Sequence, residues 1–203
     1  LNKGLQLADT LVKPFRFMFT YNNLGLGYRK LEKHDSALHY FEKLYNYCTE
    51  KKNTVWQQIA YTNRLPSFIE LNMLDSAKIV VARLFEMTKT GNEPYDEWYA
   101  YEMKGKIAMK EKDYQKAIAA LLKSVTLNDG RNKELLNRAY ETLVTCYEAT
   151  GQTEKAYPYL KLTRSYNDSV SRVKEANNNH YLFIKAEYDK EQLRLHRLTD
   201  EKR

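Results

Sequence analysis

The sequence predicts an all-α protein built as a stack of helical hairpins, and three features lead there. Glycine and proline together supply only 11 of the 203 residues, and no stretch alternates apolar and polar residues as a half-buried strand would. An alanine recurs at Ala37, Ala77, Ala117 and Ala156, at intervals of 40, 40 and 39 residues. A tyrosine stands 16 residues ahead of each of them, at Tyr21, Tyr61, Tyr101 and Tyr140. Sixteen residues before the alanine and about twelve after it leave room for two antiparallel helices and a short turn, and self-similarity at a fixed period marks a repeat array.

Taken in order, the chain reads as follows. Residues 1–14 contain Leu-Ala-Asp-Thr-Leu-Val (7–12), which resembles the second helix of an earlier, truncated repeat. Pro14 can end that helix and start the next. The first residue is Leu1 rather than Met, which suggests a piece of a longer chain. The first full repeat, about 15–53, carries Tyr21, Leu24, Gly25 and Tyr28 on one helix and Ala37 and Phe41 on the next. The second, 54–93, keeps Tyr61, Phe68 and Ala77, but Arg64 and Leu65 replace the Leu-Gly pair and Pro66 interrupts the first helix. The third, 94–131, has Tyr101, Gly105, Ala108, Ala117 and Leu121. The fourth, 132–168, has Tyr140, Leu143, Tyr147, Ala156 and Leu160. Gly-Asn-Glu-Pro (91–94) and Asn-Asp-Gly (128–130) have the composition of linkers. From Asp168 to Arg203 there is neither glycine nor proline. Asp168-Ser169 offers a helix cap, and Val170, Val173, Tyr181, Ile184, Tyr188, Leu195 and Leu198 recur near helical spacing. A helix over 169–203 is therefore expected, its first half covering the open end of the last repeat and its charged second half exposed.

These positions resemble the tetratricopeptide repeat, in which an aromatic, a Leu-Gly pair, a tyrosine, an alanine and a phenylalanine recur with fixed spacing. Residues 21–45 supply Tyr21, Leu24, Gly25, Tyr28, Ala37 and Phe41 in that spacing. The period of about 40 exceeds the 34 of the family. The resemblance covers roughly residues 15 to 168 and implies a right-handed superhelical solenoid that binds a protein or peptide partner. A second resemblance rests on the repeats, Asp168-Ser169 and the Ala-Glu-Tyr-Asp-Lys-Glu element at 186–191. Together they look like the sensor region of bacterial membrane-anchored signal-transduction proteins, of histidine-kinase or DNA-binding-regulator type. That resemblance implies a periplasmic location, with membrane contact only through a helix beyond Arg203 and a possible dimer through the last helix. A free-standing soluble adaptor or scaffold protein, located in the cytoplasm, is the alternative.

Two glycines inside the first helix, Gly25 and Gly27, call for a reason, since each costs about 1 kcal/mol against alanine. A phosphate-binding loop would need a strand before them and Lys-Ser/Thr after them, and neither is present. Gly25 and Gly105 occupy the same place in two repeats, which points instead to a close helix crossing faced by the alanines. Gly27 has no counterpart, since Ile107 stands there in the third repeat.

The chemistry-bearing residues suggest no enzyme, no cofactor and no metal. No two of the four histidines, His34, His39, His180 and His196, stand three or four residues apart, and no HExxH or CxxC motif occurs. Cys48 and Cys146 match no metal or redox spacing and read as buried small hydrophobes. Pairs such as Glu93 and Asp96 suit helix capping. The net charge is +7, but lysines alternate with acids and no nucleic-acid-binding signature occurs, so nucleic acid is not the expected partner. No run of 18 apolar residues exists.

In the repeat family, the first helices line the concave face. Projecting that face gives Asn22, Leu26, Arg29 and Lys30; Thr62, Asn63 and Pro66; Tyr99, Glu102, Lys106 and Lys110; and Glu141, Thr145 and Glu148. Candidate partner-binding residues are Asn22, Arg29, Lys30, Asn63, Tyr99, Lys106 and Lys110, a basic stripe suited to an acidic, extended partner. Of the Lys, Asn and Arg set by which chaperone-binding members hold a C-terminal carboxylate, only Asn63 has a match.

Overall fold

The computed structural model describes residues 15–89 and 97–200, with the side chains of Phe15, Asp189 and 191–200 excepted. The truncated first repeat, the linker at 91–94 with Glu93 and Asp96, and the side chains of Leu195 and Leu198 lie outside the described residues. Nine helices and no strand occur among the described residues: α1 Phe15–Lys30, α2 His34–Glu50, α3 Thr54–Asn63, α4 Leu65–Glu70, α5 Leu74–Lys89, α6 Glu97–Lys110, α7 Tyr114–Asn128, α8 Lys133–Ala149 and α9 Thr153–Asp200. Consecutive helices pack against one another along the chain, α6 on α7 and α1 on α2 most extensively. The fold is an all-α helical-repeat solenoid.

Each turn within a repeat is built the same way. Glu32, Asn72, Lys112 and Gly151 all have positive φ, from +57° to +72°. Each lies five residues before its repeat's alanine. The next residue's N–H then reaches back to a helix carbonyl: Lys33 to Tyr28, Met73 to Phe68, Asp113 to Ala108 and Gln152 to Tyr147, at 2.8–2.9 Å. This closes the first helix with a left-handed residue followed by a six-to-one hydrogen bond. Only the fourth repeat uses glycine for it; the other three place a side chain where glycine would be strain-free. Asn53, Asp113 and Asn132 cap the following helices by accepting from Trp56, Lys116 and Leu135 N–H groups.

The four alanines are buried at 0–2% exposure, so each second helix approaches its partner closely at that point. The glycines answer as expected. A Cβ on Gly25 would stand 2.5 Å from the Phe41 ring, and one on Gly105 would stand 2.6 Å from Leu121 Cγ and 3.2 Å from the Ala117 carbonyl oxygen. Gly27 has nothing within 4 Å of that position. The crossing is thus filled by the large residue one turn beyond the alanine, which lies over the glycine. In the second repeat, the first helix breaks at Arg64 between α3 and α4, with Pro66 in the first turn of α4. Leu65 sits where the first and third repeats have Gly25 and Gly105, and is fully buried. Arg64 lies over the rings of Tyr45, Tyr61 and Phe68, 4.8–5.9 Å from their centroids.

Cys48 and Cys146 are free and buried. At the far end, the expected start of a helix at Asp168-Ser169 is not realised. Helix α9 begins at Thr153 as the second helix of the fourth repeat and runs through both residues without a break. Pro158 is inside its second turn and gives up one intrahelical bond, the one to the Glu154 carbonyl. Tyr159 stacks on Tyr147 and contacts Tyr140, fixing the helix to α8. Beyond Tyr166 every described side chain is exposed, so the helix does not fold back to cover the last repeat. No glycine or proline is present to turn the chain, and a continuous helix can only extend outward.

Candidate functional site

The first helices of all four repeats converge on one groove of about 570 Å³. Arg29 comes from α1, Asn63 from α3, Pro66 and Glu70 from α4, Trp98, Tyr99 and Lys106 from α6, and Leu135 and Arg138 from α8, with His34 and Asn132 at its ends. Four of the seven candidate residues, Arg29, Asn63, Tyr99 and Lys106, are brought together here. Asn22 supports the wall by accepting a 2.8 Å hydrogen bond from the Asn63 side-chain amide. Lys110 is at the edge in a 2.9 Å ion pair with Glu70. Lys30 is exposed at the end of α1 and does not line the groove. Of the wider projection, Pro66 lines the groove, Glu102 and Thr62 are buried, and Glu141 and Thr145 are exposed.

Behind two of the lining residues, Lys106 and Arg138, is a carboxylate that sequence projection treats as a surface residue. Glu102 is fully buried, and its Oε1 accepts from Lys106 Nζ at 3.1 Å and from Arg138 Nη2 at 2.9 Å. Its Oε2 has no hydrogen-bond partner, nor has the buried Nδ1 of His34. The Lys106 side chain is only 22% exposed. Burial lowers its pKa from the ordinary lysine value, the Glu102 charge opposing the shift and the Arg138 charge adding to it. Lys106 is therefore a partly buried member of a three-residue cluster rather than a rim cation. The helices hold this cluster because Glu102 and Lys106 are one turn apart on α6 and Arg138 reaches across from α8.

Arg138 is the residue that the projection misses. It stands two residues before Tyr140, as Tyr99 stands two before Tyr101, so the repeat phase that selects Tyr99 also selects Arg138. Trp98 carries no such signal. It is buried, and its carbonyl accepts a 2.7 Å hydrogen bond from the buried Ser124 hydroxyl. The groove presents two kinds of surface. Trp98, Tyr99, Pro66 and Leu135 are apolar or aromatic, while Arg29, Lys106 and Arg138 line it as cations beside one lining carboxylate, Glu70, which pairs with Lys110 at the edge; the buried Glu102 lies behind Lys106 and Arg138. Among the described residues, no group of three or more His, Cys, Asp or Glu side chains could hold a metal ion, and no helix is long and apolar enough to cross a membrane.

The architecture is a helical-repeat solenoid with a groove along its first helices. A family model for the tetratricopeptide repeat matches residues 20–48 and 99–130, within the first and third repeats. No curated protein matches the chain. The crystal structure of BtubC (BKLC) from P. vanneervenii is similar, with a TM-score of 0.62 and 15% identity, over 84% of this chain and 71% of that one. A crystal structure of the MamA protein gives a TM-score of 0.44 and 17% identity, over 77% of this chain and 94% of that one. At such identities, the first of these likenesses speaks to the fold alone.

Proposed function

We propose that this chain binds an extended, acidic segment of a partner protein along the groove lined by α1, α3, α4, α6 and α8. The tetratricopeptide repeats support a protein-binding module, and one observation carries the finer reading. The groove combines the rings of Trp98 and Tyr99 with an excess of cations, Arg29, Lys106 and Arg138 in the lining and Lys110 at the edge, over the lining Glu70 and the buried Glu102. Opposite potentials speed encounter and set register, while buried aromatic contact supplies most of the affinity. The test is calorimetry with a partner recovered by pull-down. Replacing Arg29, Lys110 and Arg138 together by Gln should weaken binding at least tenfold, about 1.4 kcal/mol. The loss should shrink at high salt, because screening removes the same attraction in the parent. Undiminished binding at low salt would place the partner elsewhere.

The resemblance of the last helix and of residues 186–191 supports a more specific role, as the periplasmic sensor region of an inner-membrane signal-transduction protein. A free-standing adaptor would use the same groove. The coding sequence beyond Arg203 separates them: about 20 consecutive apolar residues favour the sensor, and an immediate stop codon favours the adaptor.

A further inference from the structure

Helix α9 has 48 residues, about 72 Å at 1.5 Å per residue, and only its first quarter or so is seated on the repeats. The seated face is Ala156, Tyr159, Thr163 and Tyr166, buried or half-buried. At 100° per residue the same face continues as Val170, Val173, Asn177, Tyr181, Ile184 and Tyr188, all within an arc of roughly 80°. These six are exposed, Val173 at 59% and Tyr181 and Tyr188 at 63%. An apolar stripe that packs on α8 thus runs on past the last repeat with nothing against it. A helix lacking tertiary contacts is marginal in water, and such a stripe is one side of a helix–helix seam.

We infer that the stripe from Val170 to Tyr188 pairs, in parallel and in register, with the same stripe of a second copy of this chain. The spacing is 3, 4, 4, 3, 4, the rhythm of a coiled-coil seam with one four-residue insertion that locally unwinds the supercoil. Asn177 lies in the middle of the apolar row, the place where a polar residue fixes register at some expense of stability. The flanks determine the orientation. Lys174 and Lys185 are on one side of the stripe, and Ser169, Ala176, His180 and Glu187 on the other. Parallel strands place each flank against the opposite flank of the partner, so the lysines face neutral or acidic residues. Antiparallel strands would set lysine row against lysine row. Leu182 and Phe183 fall outside the arc and stay in solvent in a two-stranded pairing. This inference is independent of what the groove binds.

The test uses the whole chain. Light scattering between about 1 and 100 μM should give the mass of two copies. Ile184→Lys should raise the dissociation constant at least tenfold while leaving the thermal transition of the repeats unchanged, because Ile184 touches none of them. Ile184→Cys should form an intermolecular disulfide under mild oxidation, since a seam position meets itself only when the helices are parallel and in register. Asn179→Cys, on the opposite face, should not. The two native thiols are buried and do not interfere. A monomer mass at 100 μM, a mass of three or more copies, or equal cross-linking of the two cysteine variants would overturn the inference.

Discussion

Replacing Glu102 by Gln is the sharpest perturbation the structure offers. The carboxylate is fully buried and holds two cations at 3.1 and 2.9 Å. At an effective dielectric of about 20, a charge pair at this distance attracts by roughly 5 kcal/mol, and desolvation of the partners offsets much of it. What the substitution exposes is the remainder plus the stranding of Lys106, which has little water to turn to. Breaking such a pair costs about 3–5 kcal/mol; because Arg138 is 32% exposed and can recover solvent, about 3 kcal/mol is expected here. For a chain of this size, that lowers Tm by about 6–12 °C. The pH dependence gives a second readout. Lys106 already titrates below its unfolded value because of burial. Between its folded and unfolded pKa values the unfolded chain binds more protons, so stability rises with pH there. Losing the Glu102 charge lowers the folded pKa further and opens this window from below. The deficit of Glu102→Gln should therefore shrink between pH 7 and pH 10, and Lys106→Met in the same background should recover part of it. Binding should move the other way: with one anion gone, the groove should hold an acidic segment more tightly. Chemical denaturation across pH measures the first effect and calorimetry the second. A loss below about 1 kcal/mol that does not change with pH would refute the account of the cluster.

Three further outcomes follow from the packing. Gly105→Ala should destabilise by roughly 1–3 kcal/mol because its Cβ would meet Leu121 at 2.6 Å, whereas Gly27→Ala, with open space around it, should be neutral or stabilising by up to about 1 kcal/mol. Equal melting temperatures for the two would contradict the crossing geometry. Glu32→Gly should stabilise the first turn by up to about 1 kcal/mol, since Glu32 is held at φ +58° where glycine is unstrained; a fall in Tm would show that its side chain contributes more than the strain. Burial pushes the Cys48 and Cys146 thiols up to about 11, so native protein should resist iodoacetamide at pH 8 and label fully only in denaturant. Labelling at the rate of a free peptide thiol would show that these helices open readily.

The repeats were legible because their signals are local and recur. Tyr21, Tyr61, Tyr101 and Tyr140 keep the same distance to their alanines, and the shared phase of Gly25 and Gly105 distinguishes a crossing from a phosphate loop. The turns were not legible. Glu32, Asn72 and Lys112 adopt the left-handed conformation that glycine usually signals, because the six-to-one hydrogen bonds after them outweigh the strain in place. The groove was half legible. Helical projection selects Arg29, Asn63, Tyr99 and Lys106, yet it misses Arg138 and treats Glu102 as a surface charge.

By itself, the sequence determined the all-α class, the repeating alanine and tyrosine positions and the break near Pro66, and it selected Arg29, Asn63, Pro66, Tyr99 and Lys106 among the groove's residues but none on the fourth repeat. These depend on period and on backbone rules that act within a few residues. Only the tertiary structure decided that Glu102, Lys106 and Arg138 form one cluster, that Lys30 stands outside the groove, and that α9 leaves the array rather than capping it. Those outcomes depend on which residues of different helices meet, as Arg138 meets Glu102 from 36 positions away, or on whether a neighbour exists to bury an apolar face. The same stripe reads identically in sequence whether it lies on α8, as at Tyr159, or in open water, as at Ile184.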